Sequence, residues 1–259
     1  MSFNNKTGSS NLMLVVCAGL LACASIAWYM FKSPKTDGNS NTLIVGTSGD
    51  FPPFTYFENG KLVGLDVDLV EEIAARLGKK IELKNMPFST LLPSLQLGNL
   101  QVVASGVTET SERAQQVLFT TPYIENNPLV IVSLPASPAK TLQDLFGKEV
   151  IVNDGYTADL YMSKITGPII KRLKSPADAF LALKSGRAFA FVTAQNTIAP
   201  VLAQYGSQAF HLAAIPDTEE PASLAIAPQY KTLQAEIQKA QDAMKQDGTL
   251  EQLKKKWGV

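Results

Sequence analysis

The sequence predicts an α/β protein with open, parallel sheets, and three observations carry that prediction. Short apolar runs alternate with amphipathic stretches of helical period. Polar, glycine-bearing clusters follow several of those runs, at the carboxyl ends of strands where open α/β sheets hold ligands. Hydrophobic residues make up 46% of the 259 and charged residues 18%, which supports a buried core and excludes wholesale disorder.

The first forty residues stand apart. After a polar start, Leu12 to Phe31 runs LMLVVCAGLLACASIAWYMF without a charge, and as a helix it would span roughly 30 Å, the thickness of a bilayer core. Both cysteines, Cys17 and Cys23, lie in it, so the rest has neither disulfide nor thiol chemistry. Three readings compete. Leu20-Leu21-Ala22-Cys23 resembles a bacterial lipobox, which would make Cys23 a lipidated mature N-terminus. The apolar run continues past Cys23 to Trp28-Tyr29, an interfacial pair suited to an uncleaved anchor. Ala22-Cys23-Ala24 also offers a signal-peptide cleavage site. All three place the remainder outside the cytoplasmic membrane, in the periplasm or cell envelope, with residues 32–41 as a polar tether.

Beyond the tether, Leu43 to Thr47 reads as the first strand. Asp66 to Leu77 reads as a helix, with Leu69, Val70, Ile73, Ala74 and Leu77 on one face, Asp66 as N-cap and Gly78 as terminator. Strands follow at Ile81 to Lys84, Val102 to Ser105, Leu129 to Leu134, Glu149 to Val152 and Phe189 to Thr193. Pro176 to Lys184 is a helix whose Ser175 cap and first-turn proline obey the N-terminal rule. A last strand, Leu224 to Ala227, precedes a long helix ending at Gly248.

Charge excludes a nucleic-acid partner. The chain has 23 cations and 23 anions, its part after residue 41 is slightly acidic, and the dense run Lys254-Lys255-Lys256 reads as a solvated helix face. Nucleotide loops, HExxH and GxSxG are absent. The lone His211 cannot build a histidine-rich metal site and reads as satisfied or exposed, and Asp66 with Asp68 reads as helix-start capping in preference to a metal pair. No metal and no cofactor are expected. Glu219-Glu220 reads as solvated unless Glu220 serves a ligand, and Pro52-Pro53 as a rigid turn presenting Phe51.

Three polar clusters remain: Gly46 to Phe54, Ser105 to Arg113, and Asn153-Asp154-Gly155-Tyr156-Thr157. Each offers free amides or hydroxyls near a helix start, and Arg113 supplies a guanidinium able to grip a carboxylate with two prongs. With DFPPFTY, GKLVGLDVDL, FSTLLPSLQLG, VTETSERAQQVLFTTPY, GKEVIVNDGYT, LKSGRAFAFV and DGTLEQLKKKWG in order, the sequence resembles the periplasmic solute-binding proteins of polar amino acid ABC importers.

That resemblance implies the two-lobe, type II periplasmic binding fold, with a ligand cleft between lobes joined by two crossing strands near Glu125 to Asn127 and Glu219 to Ala222. Lobe 1 would comprise 42–126 and 221–259, and lobe 2 127–220. It implies that Arg113 pairs with the ligand carboxylate, helped by the amides of Thr108 and Thr157. The Gly106 carbonyl and Thr108 hydroxyl would face the ammonium, Phe51 and Phe88 would sandwich the side chain, and Ser48, Ser105 and Asn153 would line the cleft. The acid usual for the ammonium is replaced by Ala194, followed by Gln195, so either another carboxylate approaches, with Glu220 and Asp50 as candidates, or the ligand is unusual. The resemblance thus implies a binding protein, not an enzyme, that delivers an amino acid to a permease; with the N-terminal segment, a membrane-anchored monomer is expected. Arginine is the first expectation, and glutamine or another polar amino acid the next. An exported enzyme of the cyclohexadienyl dehydratase type is the alternative. A receptor ectodomain or a murein-cleaving enzyme would need further domains after the cleft.

Overall fold

Two five-stranded sheets organise residues 41–125 and 127–259, which the computed structural model describes. Leu12 to Phe31, both cysteines and most of the tether lie outside the described residues. No described helix is long and apolar enough to cross a membrane.

The chain begins with β1 (Thr42–Thr47), the short strands β2 (Asp50–Phe51), β3 (Thr55–Glu58) and β4 (Lys61–Val63), then α1 (Leu65–Arg76) and β5 (Lys80–Asn85). There follow α2 (Phe88–Gln96), β6 (Val102–Val107), the single-turn α3 (Ser111–Ala114) and β7 (Leu118–Phe119). The second sheet and its helices comprise β8 (Leu129–Ser133), β9 (Glu149–Asn153), α4 (Thr157–Met162), β10 (Ile169–Leu173), α5 (Pro176–Lys184), β11 (Ala190–Ala194), α6 (Gln195–Tyr205) and β12 (His211–Ala214). The chain then returns for β13 (Ser223–Ile226), α7 (Lys231–Gln246) and α8 (Thr249–Trp257).

The sheet orders are β5-β1-β6-β13-β7 and β10-β9-β11-β8-β12. In the first, β1 runs parallel to β5 and β6, as the alternating pattern predicts. The all-parallel expectation fails at β13 and β8. The first is antiparallel to β6 and β7, the second to β11 and β12. Both strands arrive directly from the other lobe, without a helical crossover to reverse the chain, so they enter in the opposite sense. The crossings themselves are hydrogen-bonded to each other: Tyr123 donates to the Ala222 carbonyl at 2.8 Å, and Glu220 to the Asn127 carbonyl at 2.9 Å.

Central strands buried on both faces need near-continuous apolar sequence. In β6, Val102 and Ala104 join one core with Leu69, Ile73 and Ile237, while Val103 and Val107 join a second with Leu91 and Leu95. In β11, Val192 packs with Val150 and Val152, and Phe191 turns to the opposite face with Phe180 and Phe210. Helix α5 starts as expected, with Asp178 N–H donating to Ser175 Oγ at 3.2 Å.

Asp66 corrects the capping assignment. Gly64 takes the N-cap position of α1, and Asp66 turns into the protein, accepting from Tyr123 Oη and from Gly106 N–H, each at 2.6 Å. Burial pushes its carboxyl up to about 7 despite both bonds. Asp68 accepts from Lys256 Nζ at 2.6 Å and Trp257 Nε1 at 2.7 Å, which ties α8 to α1. The dense lysine run is therefore partly engaged: Lys254 pairs with Glu251 as Lys256 does with Asp68. His211 is neither fully exposed nor satisfied, for its Nε2 is buried without a hydrogen-bond partner.

Candidate functional site

The candidate site lies where the carboxyl ends of strands from both sheets converge. Beyond β1 come Ser48, Asp50 and Phe51, and beyond β6 the segment from Thr108 to Arg113. Beyond β9 come Gly155, Tyr156 and Thr157, and β11 ends in Ala194.

Arg113 sits at the junction, 6% exposed. Its helical turn is capped by Thr110, whose Oγ1 accepts from Arg113 N–H at 3.2 Å. The guanidinium then reaches inward, donating to the Thr108 carbonyl at 2.7 Å and, across the cleft, to the Gly155 carbonyl at 2.9 Å. Its carbon stands 5.7 Å from the centre of the Phe88 ring. Burial lowers its pKa, while the charges of Glu220 and Glu112 pull it back up.

Glu220 faces the same space from the returning crossing and is 8% exposed. Burial pushes its carboxyl up to about 8, against the opposing pull of Thr157 and of Arg113. Glu219 beside it is exposed. A buried cation and a buried acid on two sides of one cleft form the charge pattern that a zwitterion complements.

The aromatic wall is layered. Phe51 stacks on Phe54 with ring centres 5.0 Å apart and planes 12° from parallel. It also abuts Gly106, whose φ is +59°; a Cβ there would approach a Phe51 ring carbon to 2.6 Å, so glycine lets the ring lie against the backbone. Phe88 at the start of α2 is half-buried.

The expected residues separate into two groups. Phe51, Phe88, Ser105, Gly106, Thr108, Thr157 and Glu220 line one small cavity, with Arg113 immediately behind it. Ser48 and Asp50 pair with each other at the edge, and Asp50 faces a neighbouring groove lined also by Pro52, Pro176 and Thr197. Asn153 is used structurally: its Nδ2 donates to the Leu173 carbonyl at 3.2 Å, linking β9 to the end of β10. Gln195 is exposed on the first turn of α6 and does not line the cavity; Ala194 before it does.

Sequence reasoning gave no ligand-lining role to Asn127, which it placed at the crossing, or to Phe54 and Tyr156, yet all three line the cavity. Asn127 holds the crossing, its Oδ1 accepting from Asn196 N–H at 2.9 Å. Tyr156 belongs to the polar cluster Asn153 to Thr157, and an aromatic residue just before a helix start was the available signal. Among the described residues, no group of three or more His, Cys, Asp or Glu is placed to hold a metal.

Comparison with known proteins places this geometry in context. The family of bacterial extracellular solute-binding proteins, family 3, matches residues 43–259. The chain is 33% identical over 257 residues to the arginine-binding extracellular protein ArtP of Bacillus subtilis (strain 168), covering 95% of this chain and 96% of that protein. It is similar to an ancestral arginine-binding protein solved with arginine, at TM-score 0.79 and 38% identity over 84% of this chain and 98% of that one. The ancestral protein solved with glutamine is similar at TM-score 0.78 and 39% identity, over 84% and 97%.

Proposed function

Because the chain belongs to the bacterial extracellular solute-binding proteins, family 3, we propose that its cleft captures a free polar amino acid, arginine first, and presents it to the permease of an ABC importer. The observation that carries the choice of ligand class is the buried guanidinium of Arg113 and the buried acid Glu220 facing one interlobe space. The Arg113 guanidinium grips the ligand carboxylate by exchanging its carbonyl partners for carboxylate oxygens. Glu220 answers the ligand ammonium, supplying the charge that Ala194 lacks. Phe51 and Phe88 flank the side chain, and a guanidinium placed against them gains roughly 0.5 to 2 kcal/mol of cation–π attraction. Glutamine fits the same polar frame without that gain. Lobe 1 is read as 42–126 with 221–259 and lobe 2 as 127–220, closing over the ligand because it touches both only in that state.

The protein works outside the cytoplasmic membrane as a monomer, held there by a lipid on Cys23 or by the retained apolar segment Leu12 to Phe31. Mass spectrometry of the N-terminus of the membrane-extracted protein distinguishes the two. For the ligand, a thermal-shift screen against the common amino acids is decisive. At a hundredfold excess over its dissociation constant, a true ligand adds about 2.7 kcal/mol to stability. An unshifted melting curve with every amino acid would exclude the reading.

A further inference from the structure

The cavity enclosed by the cleft residues measures about 20 Å³, room for one water molecule and not for an amino acid. Tyr156 is one of the residues that line it. It is 8% exposed, and its ring centre lies 4.3 Å from that of Phe88 and 5.7 Å from that of Phe51, edge-on to the latter. Phe51 and Phe88 belong to the first lobe and Tyr156 to the second, so the ring enters the slot as the lobes meet.

We propose that Tyr156 is the specificity-determining residue of the cleft: its ring occupies the slot between Phe51 and Phe88, and a long ligand side chain binds only by expelling it. The proposal rests on the reading of the cleft as an amino acid site and adds which side chains that site favours. Three features support competition in place of passive packing. The opposite wall cannot yield, since Phe51 is pinned between Phe54 and Gly106. Tyr156 projects from a turn, with its N–H donating to the Asn153 carbonyl at 3.0 Å after Gly155 at φ +74°. Its backbone can therefore stay fixed while the ring rotates about its side-chain bonds. Finally, the Tyr156 hydroxyl is buried and makes no hydrogen bond of good geometry. Moving the ring out returns that hydroxyl to water, which offsets part of the lost aromatic contact.

The test is calorimetric titration of the full protein and its Tyr156→Thr and Tyr156→Phe variants with arginine and with alanine. Freed of the ring, the Tyr156→Thr variant should show a ratio of arginine to alanine affinity raised at least about tenfold, the equivalent of the lost aromatic contacts. Tyr156→Phe keeps the ring but has no hydroxyl to return to water, so its ratio should not exceed that of the wild type. Should Tyr156→Thr not fold, Tyr156→Leu is expected to shift the ratio in the same direction. A ratio unchanged or lowered in the small-residue variants, with the wild type binding normally, overturns the role of Tyr156 and leaves the amino acid site standing. No binding of any common amino acid by wild type or variants removes the site reading, and this inference with it.

Discussion

If Glu220 pairs with the ligand ammonium as proposed, amino acid binding is a proton-linked event. In the closed cleft its carboxyl is pushed up to about 8, whereas a ligand ammonium requires it ionised. At pH 7 a group with that value is protonated about ten to one, so binding releases nearly one proton and forfeits about 1.4 kcal/mol relative to alkaline pH. Between pH 6 and 8 the ionised fraction rises about fiftyfold, and the association constant should rise with it. The sign follows from linkage, because the complex holds fewer protons than the empty protein and raising the pH favours it. Titrating the same ligand in two buffers of different ionisation enthalpy at pH 7 measures the released proton directly. The Glu220→Gln variant should release none, show a flat profile, and bind more weakly at pH 8 by about 3 to 5 kcal/mol, the cost of leaving a buried charge unpaired. A wild-type protein with constant affinity from pH 6 to 8 and no buffer dependence would refute the pairing of Glu220 with the ligand.

Other perturbations test the frame around it. Arg113→Ala should abolish amino acid binding while circular dichroism shows an intact fold, and Arg113→Lys should restore only part, because an ammonium lacks the two-pronged grip. Gly155→Ala should hinder closure: φ there is +74° and a Cβ would lie 3.3 Å from both Cα and Cβ of Ser89. Small-angle scattering with ligand should show that variant more extended than the wild type. Asp66, pushed up to about 7 by burial, holds its proton in the folded state where the unfolded chain has released it, so stability should fall as pH rises from about 4 to about 7. Asp66→Asn should flatten that slope in denaturant unfolding midpoints measured across the range.

How much of this could be read from the chain depended on whether the governing interaction was local. Helix α5 is predicted to the residue because Ser175 and Pro176 set its start and the signal sits within one turn. The strand-end clusters were legible for the same reason, since glycine and hydroxyl residues after an apolar run mark a turn wherever it folds. The direction of β8 and β13 was not legible, because it depends on the chain having crossed between lobes. The short strands β2 to β4 and the edge strands β10 and β12 were missed, their apolar pattern being too short or too exposed to register. Asp66 was misjudged because an acid near a helix start suits a cap, and only the third dimension shows it reaching Gly106 and Tyr123. Tyr156 was overlooked on similar grounds. Its neighbours in sequence belong to a turn, and its neighbours in space belong to the other lobe.

The contacts that join the lobes decide how affinity should be understood. Lys164 meets Glu112 across the cleft mouth at 3.1 Å, but both side chains are largely exposed, and such pairs are screened by salt and add little. The stronger ties are buried: Arg113 to the Gly155 carbonyl, and the Tyr156 ring against Phe88 and Phe51. Both occupy the very groups proposed to hold a ligand. Binding therefore exchanges one set of interlobe ties for another, and the measured affinity is the difference between them. An amino acid that grips Arg113 without displacing Tyr156 keeps the aromatic contact, and one with a long side chain must replace it. On this account a cationic side chain is favoured over an aliphatic one of equal length, because it replaces aromatic contact with cation–π attraction and finds Asp50 at the edge of the slot.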